Sequence, residues 1–508
     1  MSITHLGVPV DATTEFETVI GLEVHVQLAT DSKIFSTARA RLEAGKSVSD
    51  EVPNSNTTPV CAGHPGTLPA LNEKAVLYAV KAGLATNCKI NRRSIFARKH
   101  YFYPDSPKGY QISQYDLPLC EHGALDIEFG NNGDQTKRVG ITRIHMEEDA
   151  GKSVHLNGFS VVNLNRAGVP LIEVVSEPDM RSAEEAGAYL RKLYAIVTAI
   201  GVCDGNLQEG NFRCDANVSI RPKGSSRLGT RTETKNVNSF RFVEKAIEYE
   251  VSRQRQAILS GENIVQETRL YDADKNQTFS MRTKEDAEDY RYFPDPDLPP
   301  LVIAEATIEA IRASLPELPD QKRDRFVKNF GLSRYDAGLI VGTHGLSEFF
   351  ETAANDAKLA AQKEPSAKTI ANLLTGEAMR LVNETGASIA ATKFTPKHFS
   401  DLAEFISGKV ISVSAGKQII PILFKEGGDV NALIEREGLK QVSDLSALEP
   451  IIDQIIAANP KQVEEFRSGK EKMLGFFVGQ AMKATGGKAN PAMLQELVVQ
   501  KLKGPSSS

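Results

Sequence analysis

Residues 144 to 153, Ile-His-Met-Glu-Glu-Asp-Ala-Gly-Lys-Ser, set three consecutive carboxylates in a segment that alternates like a strand, beside a glycine and a lysine. Strand side chains point to opposite faces in turn. Ile141, Arg143, His145 and Glu147 are therefore expected on one face, with Ile144 and Met146 on the other. The Gly-Lys-Ser ending suggests a phosphate-binding loop. That motif needs a glycine where Met146 stands and a strongly apolar strand leading into it, and neither is present. Acid density of this kind calls for a cation instead.

Three other segments repeat the pattern. Ile20, Leu22, Val24, Val26 and Leu28 make one apolar face, which leaves Glu23, His25 and Gln27 on the other. Cys214, Ala216, Val218 and Ile220 alternate with Arg213, Asp215, Asn217, Ser219 and Arg221, so Asp215 sits centrally on a polar face. Leu171 to Val175 encloses Glu173 in an apolar run. For any one of these the competing reading is a solvated strand face; four in one chain favour convergence. Unpaired like charges about 4 Å apart repel by roughly 4 kcal/mol at an effective dielectric near 20, so converging acids need a metal, cationic partners or a retained proton. Carboxylates with a single imidazole suit Mg²⁺ or Mn²⁺ better than zinc.

The elements that must position these residues follow from the rest of the chain. At 508 residues it should hold roughly three domains. The first 300 residues mix alternating strands, Gly/Pro turns and helices over Ala183 to Ile200 and Phe242 to Leu259, the latter stopped by Gly261. Phe293 to Leu301 contains four prolines, which lack amide donors, and marks a boundary. Beyond it the periodicity turns helical at Ile308 to Leu315, Ser366 to Asn383 and Lys397 to Ile406, then at Ile451 to Ala457, Gln462 to Phe466 and Met493 to Leu502. The expected fold is α+β: a large mixed domain over 1–298, an all-α domain over 299–407 and a small helical tail over 408–508. In the tail Lys461, Lys470, Lys472, Lys483 and Lys488 gather near Gly486 and Gly487, either as a solvated face or as an RNA contact. The last residues, Pro505 to Ser508, are expected to be disordered.

Composition excludes several classes. No apolar run approaches the roughly 20 residues of a membrane span, and Met1 to Phe16 lacks the regions of a signal peptide, so the cytoplasm is expected. Cys61, Cys88, Cys120, Cys203 and Cys214 are odd in number, without the two-residue spacing of a zinc knuckle, and should be reduced thiols. Cys214 falls on the apolar face of its strand and reads as core. With a net charge of −5 the chain is no general polyanion binder, and any nucleic-acid contact must be a local basic patch.

Taken together, Val19-Ile-Gly-Leu-Glu-Val-His-Val-Gln, Arg98-Lys-His-Tyr-Phe-Tyr-Pro-Asp, Lys108-Gly-Tyr-Gln-Ile-Ser-Gln, the run around Glu147, Asn165-Arg-Ala-Gly-Val-Pro-Leu-Ile-Glu and Arg213-Cys-Asp-Ala-Asn resemble the B-subunit family of aspartyl/glutamyl-tRNA amidotransferases. The resemblance continues through Asp289-Tyr-Arg-Tyr-Phe-Pro-Asp-Pro-Asp into the tail, at Asn459-Pro-Lys-Gln-Val, Val478-Gly-Gln-Ala-Met-Lys-Ala-Thr and Gly487-Lys-Ala-Asn-Pro. It implies a cradle domain that uses ATP and Mg²⁺ (or Mn²⁺) to phosphorylate the side-chain carboxylate of a misacylated Glu-tRNA(Gln) or Asp-tRNA(Asn), after which ammonia displaces the phosphate. A carboxylate is a poor electrophile, so one oxygen must leave as phosphate, and divalent ions neutralise the charge that develops.

Position by position the resemblance implies Glu23, His25, Glu147, Glu148, Glu173 and Asp215 as metal ligands, with Glu209 as a further candidate. Glu147, Asp215, Lys99 and Lys108 are implied as catalytic residues, and Arg143 and Lys152 as phosphate or carboxylate partners. Where the family has paired acids and a Gly-Ser step before Arg-Cys-Asp, this chain has Gln208 before Glu209 and Asn211 after Gly210. Lys99 and Lys108, beside Tyr101, Tyr103 and Tyr110, suit a polar passage. No amidase serine-lysine signature or N-terminal cysteine is present. Ammonia must therefore come from another chain. The implied partners are an amidase-family glutaminase (the A subunit of such a complex), a small third protein (its C subunit) and misacylated tRNA, with no membrane. The alternatives are a tRNA-binding scaffold without chemistry and a metal-dependent hydrolase.

Overall fold

The computed structural model describes residues 2–3, 9–11, 13–40, 51–207, 209–237, 239–283, 290–343, 345–356, 363–385, 389–441, 445–470, 472–485, 489 and 491–503. Gln208, the Gly486, Gly487 and Lys488 turn, and Pro505 to Ser508 lie outside the described residues.

The strict alternations resolve into one nine-stranded sheet. Its spatial order is Gln277–Thr283, Glu267–Asp272, Thr232–Val237, Phe212–Pro222, Phe16–Gln27, Pro170–Ser176, Gln135–Glu148, Cys120–Phe129 and Lys89–Ile90. All neighbours are antiparallel except Thr232–Val237 with Glu267–Asp272. The four acid-bearing strands are thus consecutive at the centre. Their apolar faces, with Leu22, Val24, Val26, Ile144, Met146, Ile172, Val174, Cys214 and Ala216, join the main core together with helices Glu73–Ala85, Ala183–Ala199 and Phe240–Leu259. Each helix opens on a side-chain cap: Asn72, Ser182 and Ser239 accept from the backbone N–H three residues on, which satisfies an amide with no partner inside the helix. All five cysteines are free and buried.

One expectation about facing is overturned. Ile141 does not share the face of Arg143, because the register against Pro170–Ser176 skips a residue: Val175 pairs with Arg143, and Ser176 with Ile141. The extra residue, Thr142, forms a β-bulge, and its hydroxyl donates to Glu177 at 2.8 Å. Ile141 turns into the core as a result, while Arg143, His145 and Glu147 stay on the polar face.

The proline-rich stretch is fastened to the sheet domain. Phe293–Pro294 pairs with Ala97 and Arg98, Leu301–Val302 pairs with Arg93 and Ser94, and Arg98 binds Asp295 at 2.9 Å and Asp297 at 2.8 Å. Ile303 and Ile308 then join the first core, so the compact unit runs to Pro319 where the sequence placed a boundary at 298. The second unit, Asp320–Ser508, is helical and, among the described residues, holds two apolar clusters. One spans Phe326 to Ile434 and includes the helices Val413–Glu426 and Val430–Arg436; the other spans Leu448 to Leu502. Among the described residues, no helix is long and apolar enough to cross a membrane.

Candidate active site

Register alone aligns the polar residues in rows across the central strands. His145, Glu173, His25 and Arg213 are direct cross-strand partners in sequence across four strands. Two residues further along, Arg143, Val175, Glu23 and Asp215 form a parallel row. Because strand side chains alternate, these rows and Glu147 stand on the face opposite the core.

His25 Nε2 lies 3.6 Å from Glu147 and 3.5 Å from Glu173, and His145 Nε2 lies 3.5 Å from Glu173 and 3.9 Å from Glu147. One ligand atom each from His25, Glu147 and Glu173 falls within 4.8 Å of the others. Two carboxylates that close repel by about 3 kcal/mol at an effective dielectric near 20. Protons and cations answer that repulsion. Burial opposes charge on His25, but the hydrogen bond to Glu173 and the charge of Glu147 outweigh it and lift the ring to about 9. Burial and Glu173 push Glu147 up to about 7. Glu173 runs the other way: burial would raise it, yet His145, His25 and Lys99 hold it well below the carboxylate range. Burial chiefly lowers His145 to about 4, so it carries a charge only in the acid range where Glu173 titrates and is neutral at pH 7, where its Nδ1 accepts from Arg143 at 3.4 Å. On Lys99 burial is outweighed, first by Glu147, and the ammonium is retained.

The donor set fits a divalent cation. It offers an imidazole nitrogen from half-buried His25 and two carboxylate oxygens from buried Glu147 and Glu173, in a cluster that otherwise needs added protons to tolerate its own charge. The oxygen-rich composition favours Mg²⁺ or Mn²⁺ over zinc.

The second row ends on a lysine that the sequence reading missed. Lys235 Nζ lies 2.5 Å from Asp215 and 2.9 Å from Glu233, and Asn217 donates to Glu23 at 3.0 Å. Burial, then Glu173, Glu233 and Asp215, raise Glu23 above its ordinary value. Arg213, which the sequence placed on the polar face without a role, also belongs to the site. It donates to both oxygens of buried Asp149 at 3.2 Å, and its Nε is buried with no hydrogen-bond partner.

Compared with known proteins, residues 18–309 match the GatB/GatE catalytic domain and residues 349–502 match the GatB domain. Curated proteins named as B subunits of aspartyl/glutamyl-tRNA(Asn/Gln) amidotransferase are similar along nearly the whole chain. The protein from Trichlorobacter lovleyi is 55% identical over 490 residues, covering 96% of this chain and 100% of the relative. That from Geobacter sulfurreducens is 55% identical over 494 residues with the same coverage, and that from Alkalilimnicola ehrlichii 54% over 490, covering 96% and 99%. The chain belongs to the B-subunit family of aspartyl/glutamyl-tRNA(Asn/Gln) amidotransferases.

Within this B-subunit fold the residues named from sequence fall into four groups. Glu23, His25, Glu147, Glu173, Asp215 and Arg143 share the polar face of the central strands. Lys99, on strand Ala97–His100, is half-buried, and the charges of Glu147 and Glu173 reach it and help to hold its ammonium against that burial. Glu148 is turned away from Glu147 and its cluster by the same strand alternation. It pairs with Lys108, accepts from the Ile112 N–H at 2.9 Å, and is absent from the three-residue ligand group. Lys108 and Glu148 line a separate cavity of about 20 Å³ with Tyr101, Asp105, Gln111 and Asp149. Lys152 is exposed, at the start of hairpin strand Lys152–Leu156, and Glu209 lies in a turn where its N–H bonds Asn206. Gly151 has a packing role, since a Cβ there would come within 3.1 Å of the carbonyl oxygens of Asn163 and Asp105.

Proposed function

We propose that this chain is the carboxylate-activating subunit of a tRNA-dependent amidotransferase. It uses ATP to phosphorylate the side chain of Glu-tRNA(Gln) or Asp-tRNA(Asn) and passes the activated ester to ammonia, giving Gln-tRNA(Gln) or Asn-tRNA(Asn). The observation that carries this reading is the largely buried His25, Glu147 and Glu173 cluster in a chain 55% identical to curated B subunits. A scaffold has no need of such a cluster, which costs folding energy to hold together.

His25, Glu147 and Glu173 would hold Mg²⁺ or Mn²⁺, which when bound neutralises phosphate charge during phosphoryl transfer. Around them the chain supplies its own cations. Lys99 keeps its ammonium facing the acids, and the unpaired Nε of Arg213 is a fixed donor in a water-poor place, where an oxyanion gains most from it. Asp215 and Glu233 hold Lys235 at the far end of the row. In the first step a carboxylate oxygen of the aminoacyl side chain bonds to the γ-phosphorus and ADP leaves. In the second, the ammonia nitrogen bonds to the acyl carbon, phosphate leaves with the C–O electron pair, and the nitrogen sheds a proton.

The chain has no amidase signature, so ammonia is supplied by a partner glutaminase of the amidase family, the A subunit, assembled with a small C subunit. The cavity at Lys108 and Glu148 holds about one water-sized molecule, the size of ammonia, and supports a polar passage there. The helical tail around the Leu448 to Leu502 core carries Lys461, Lys470, Lys472 and Lys483 and is proposed as a tRNA contact.

The test is single-turnover formation of the acyl phosphate by the purified complex with Mg²⁺ and each misacylated tRNA. Glu147→Ala should abolish it while tRNA-independent glutaminase activity persists. Formation at the wild-type rate in that variant refutes the assignment.

A further inference from the structure

Beside the acid cluster lies an aromatic group that the chemistry above does not use. Tyr115 and Tyr292 stack with ring centroids 4.4 Å apart and planes only 11° from parallel, although they are 177 positions apart in the chain (292 minus 115). Tyr290 meets Tyr292 edge-on at 6.2 Å, and Lys99 Nζ lies 4.8 Å from the Tyr290 centroid. The charges of Lys99, Glu147 and Glu173 all act on the Tyr292 hydroxyl, so the stack borders the reacting groups. Tyr115 is nevertheless 50% exposed.

Both sides of the stack are anchored. Gln114, next to Tyr115, is buried, and its side-chain oxygen accepts from the N–H of Met146 on the acid strand at 3.0 Å. On the other side, the Tyr290 carbonyl accepts from the His100 N–H at 2.9 Å, and Phe293–Pro294 pairs with Ala97 and Arg98. Between the two tyrosines, Arg291 holds φ at +41°, a left-handed conformation costly for a side chain of its size. Strain of that kind persists where surroundings enforce it, and it clusters at ligand sites.

The geometry points to a purine-stacking platform: Tyr115 and Tyr292 receive an adenine ring at the mouth of the acid cluster. The inference rests on the functional reading above, because both reactants of that reading carry adenine, ATP in its base and tRNA in its 3′-terminal nucleoside. A flat aromatic face half open to solvent suits any base in stacking, and base–aromatic stacking is worth about tenfold or more in affinity.

The test uses the assembled amidotransferase and two fluorescent probes, 2-aminopurine riboside triphosphate and misacylated tRNA with 2-aminopurine as its last base. Stacking on tyrosine quenches this base. The expected result is quenching by the wild type in one arm, which identifies the source of the purine. Tyr115→Ala and Tyr292→Ala should lose that quenching and weaken the same ligand about tenfold, with the other ligand unaffected. Tyr115→Phe, which keeps the ring and removes only the hydroxyl, should behave as wild type. Undiminished quenching in both alanine variants, no quenching in either arm, or a Tyr115→Phe defect equal to that of Tyr115→Ala overturns the platform. Should the wild type form no acyl phosphate at all, the functional reading falls and the platform with it; normal acyl phosphate formation without quenching removes the platform alone.

Discussion

Glu173→Gln perturbs the acid cluster at its centre with little change of shape. Glu173 lies 3.5 Å from the Nε2 atoms of both histidines, and an amide removes the charge those rings face. Burial disfavours charged His25, yet Glu173 and Glu147 together lift it from 6.5 to about 9. At 1.36 kcal/mol per pH unit this corresponds to about 3 kcal/mol of folding stability. The folded value lies above the unfolded one, so the contribution is full below about pH 6.5 and is lost as the pH rises through 9. Glu147 adds to the same slope from below. Its carboxyl is pushed from 4.5 up to about 7, so stability falls as the pH climbs between those values. Wild-type protein in chelator should therefore become steadily less stable from pH 5 to pH 9. In Glu173→Gln the His25 segment, from 6.5 to 9, should largely disappear. Thermal unfolding across a pH series reads this directly, as a wild-type midpoint that drops by several degrees over that window and a variant midpoint that stays nearly level. Parallel profiles for the two proteins would refute the argument that Glu173 holds the proton on His25.

Three further outcomes follow from the same structure. Mn²⁺ affinity, measured by paramagnetic resonance titration, should rise between pH 6 and pH 9, because the ion competes with protons on Glu147 near 7 and on His25 near 9; a pH-independent affinity would remove these residues from the ligand set. Lys108→Met leaves buried Glu148 without its ammonium, a change that typically costs about 3–5 kcal/mol, and should impair glutamine-driven more than ammonium-driven amidation; equal loss with both donors would place Lys108 at phosphoryl transfer. Ending the chain after Leu439 should leave the middle helical core folded by size-exclusion and circular dichroism, whereas ending it after Ser407 removes buried Ile411, Ile419, Ile420, Leu423, Leu433 and Ile434 and should yield aggregate. At about 1.5–3 kcal/mol per side chain, that loss is comparable to a typical domain's whole stability.

Much of the site was legible because period-two alternation is a geometric rule that chemistry does not override. Leu22, Val24 and Val26 could face the core only if Glu23 and His25 faced away, and the same held for Cys214 and Asp215. The rule failed at Ile141, where a single bulged residue reversed the facing, and nothing in the local sequence marks Thr142 as that residue. Alternation also argued against grouping Glu148 with Glu147, and the structure follows alternation there. Lys235 escaped notice because Asp215 lies on another strand, and the role of Arg213 did because Asp149 belongs to another segment; only the strand order brings each pair together. Helix Val413–Glu426 was not read from sequence; Pro421 inside it deletes one amide donor, but the buried Ile419, Ile420 and Leu423 hold the helix to its core.

The clasp of Arg98 on Asp295 joins residues 197 positions apart, and its consequence belongs to the time axis of synthesis. Closing a loop of that length costs roughly 5 kcal/mol of chain entropy beyond a constant, so the clasp forms only after the sheet between its ends has removed most of that freedom. A ribosome that has just released the nine sheet strands, the last ending at Thr283, still withholds Tyr290, Tyr292, Asp295 and the Leu301–Val302 pairing. The cradle is completed by its last-made residues. Nascent chains stalled with Thr283 exposed should show protected sheet amides while Lys99 remains freely reactive to amine-directed reagents, and protection of Lys99 should appear only once residue 302 has left the exit tunnel.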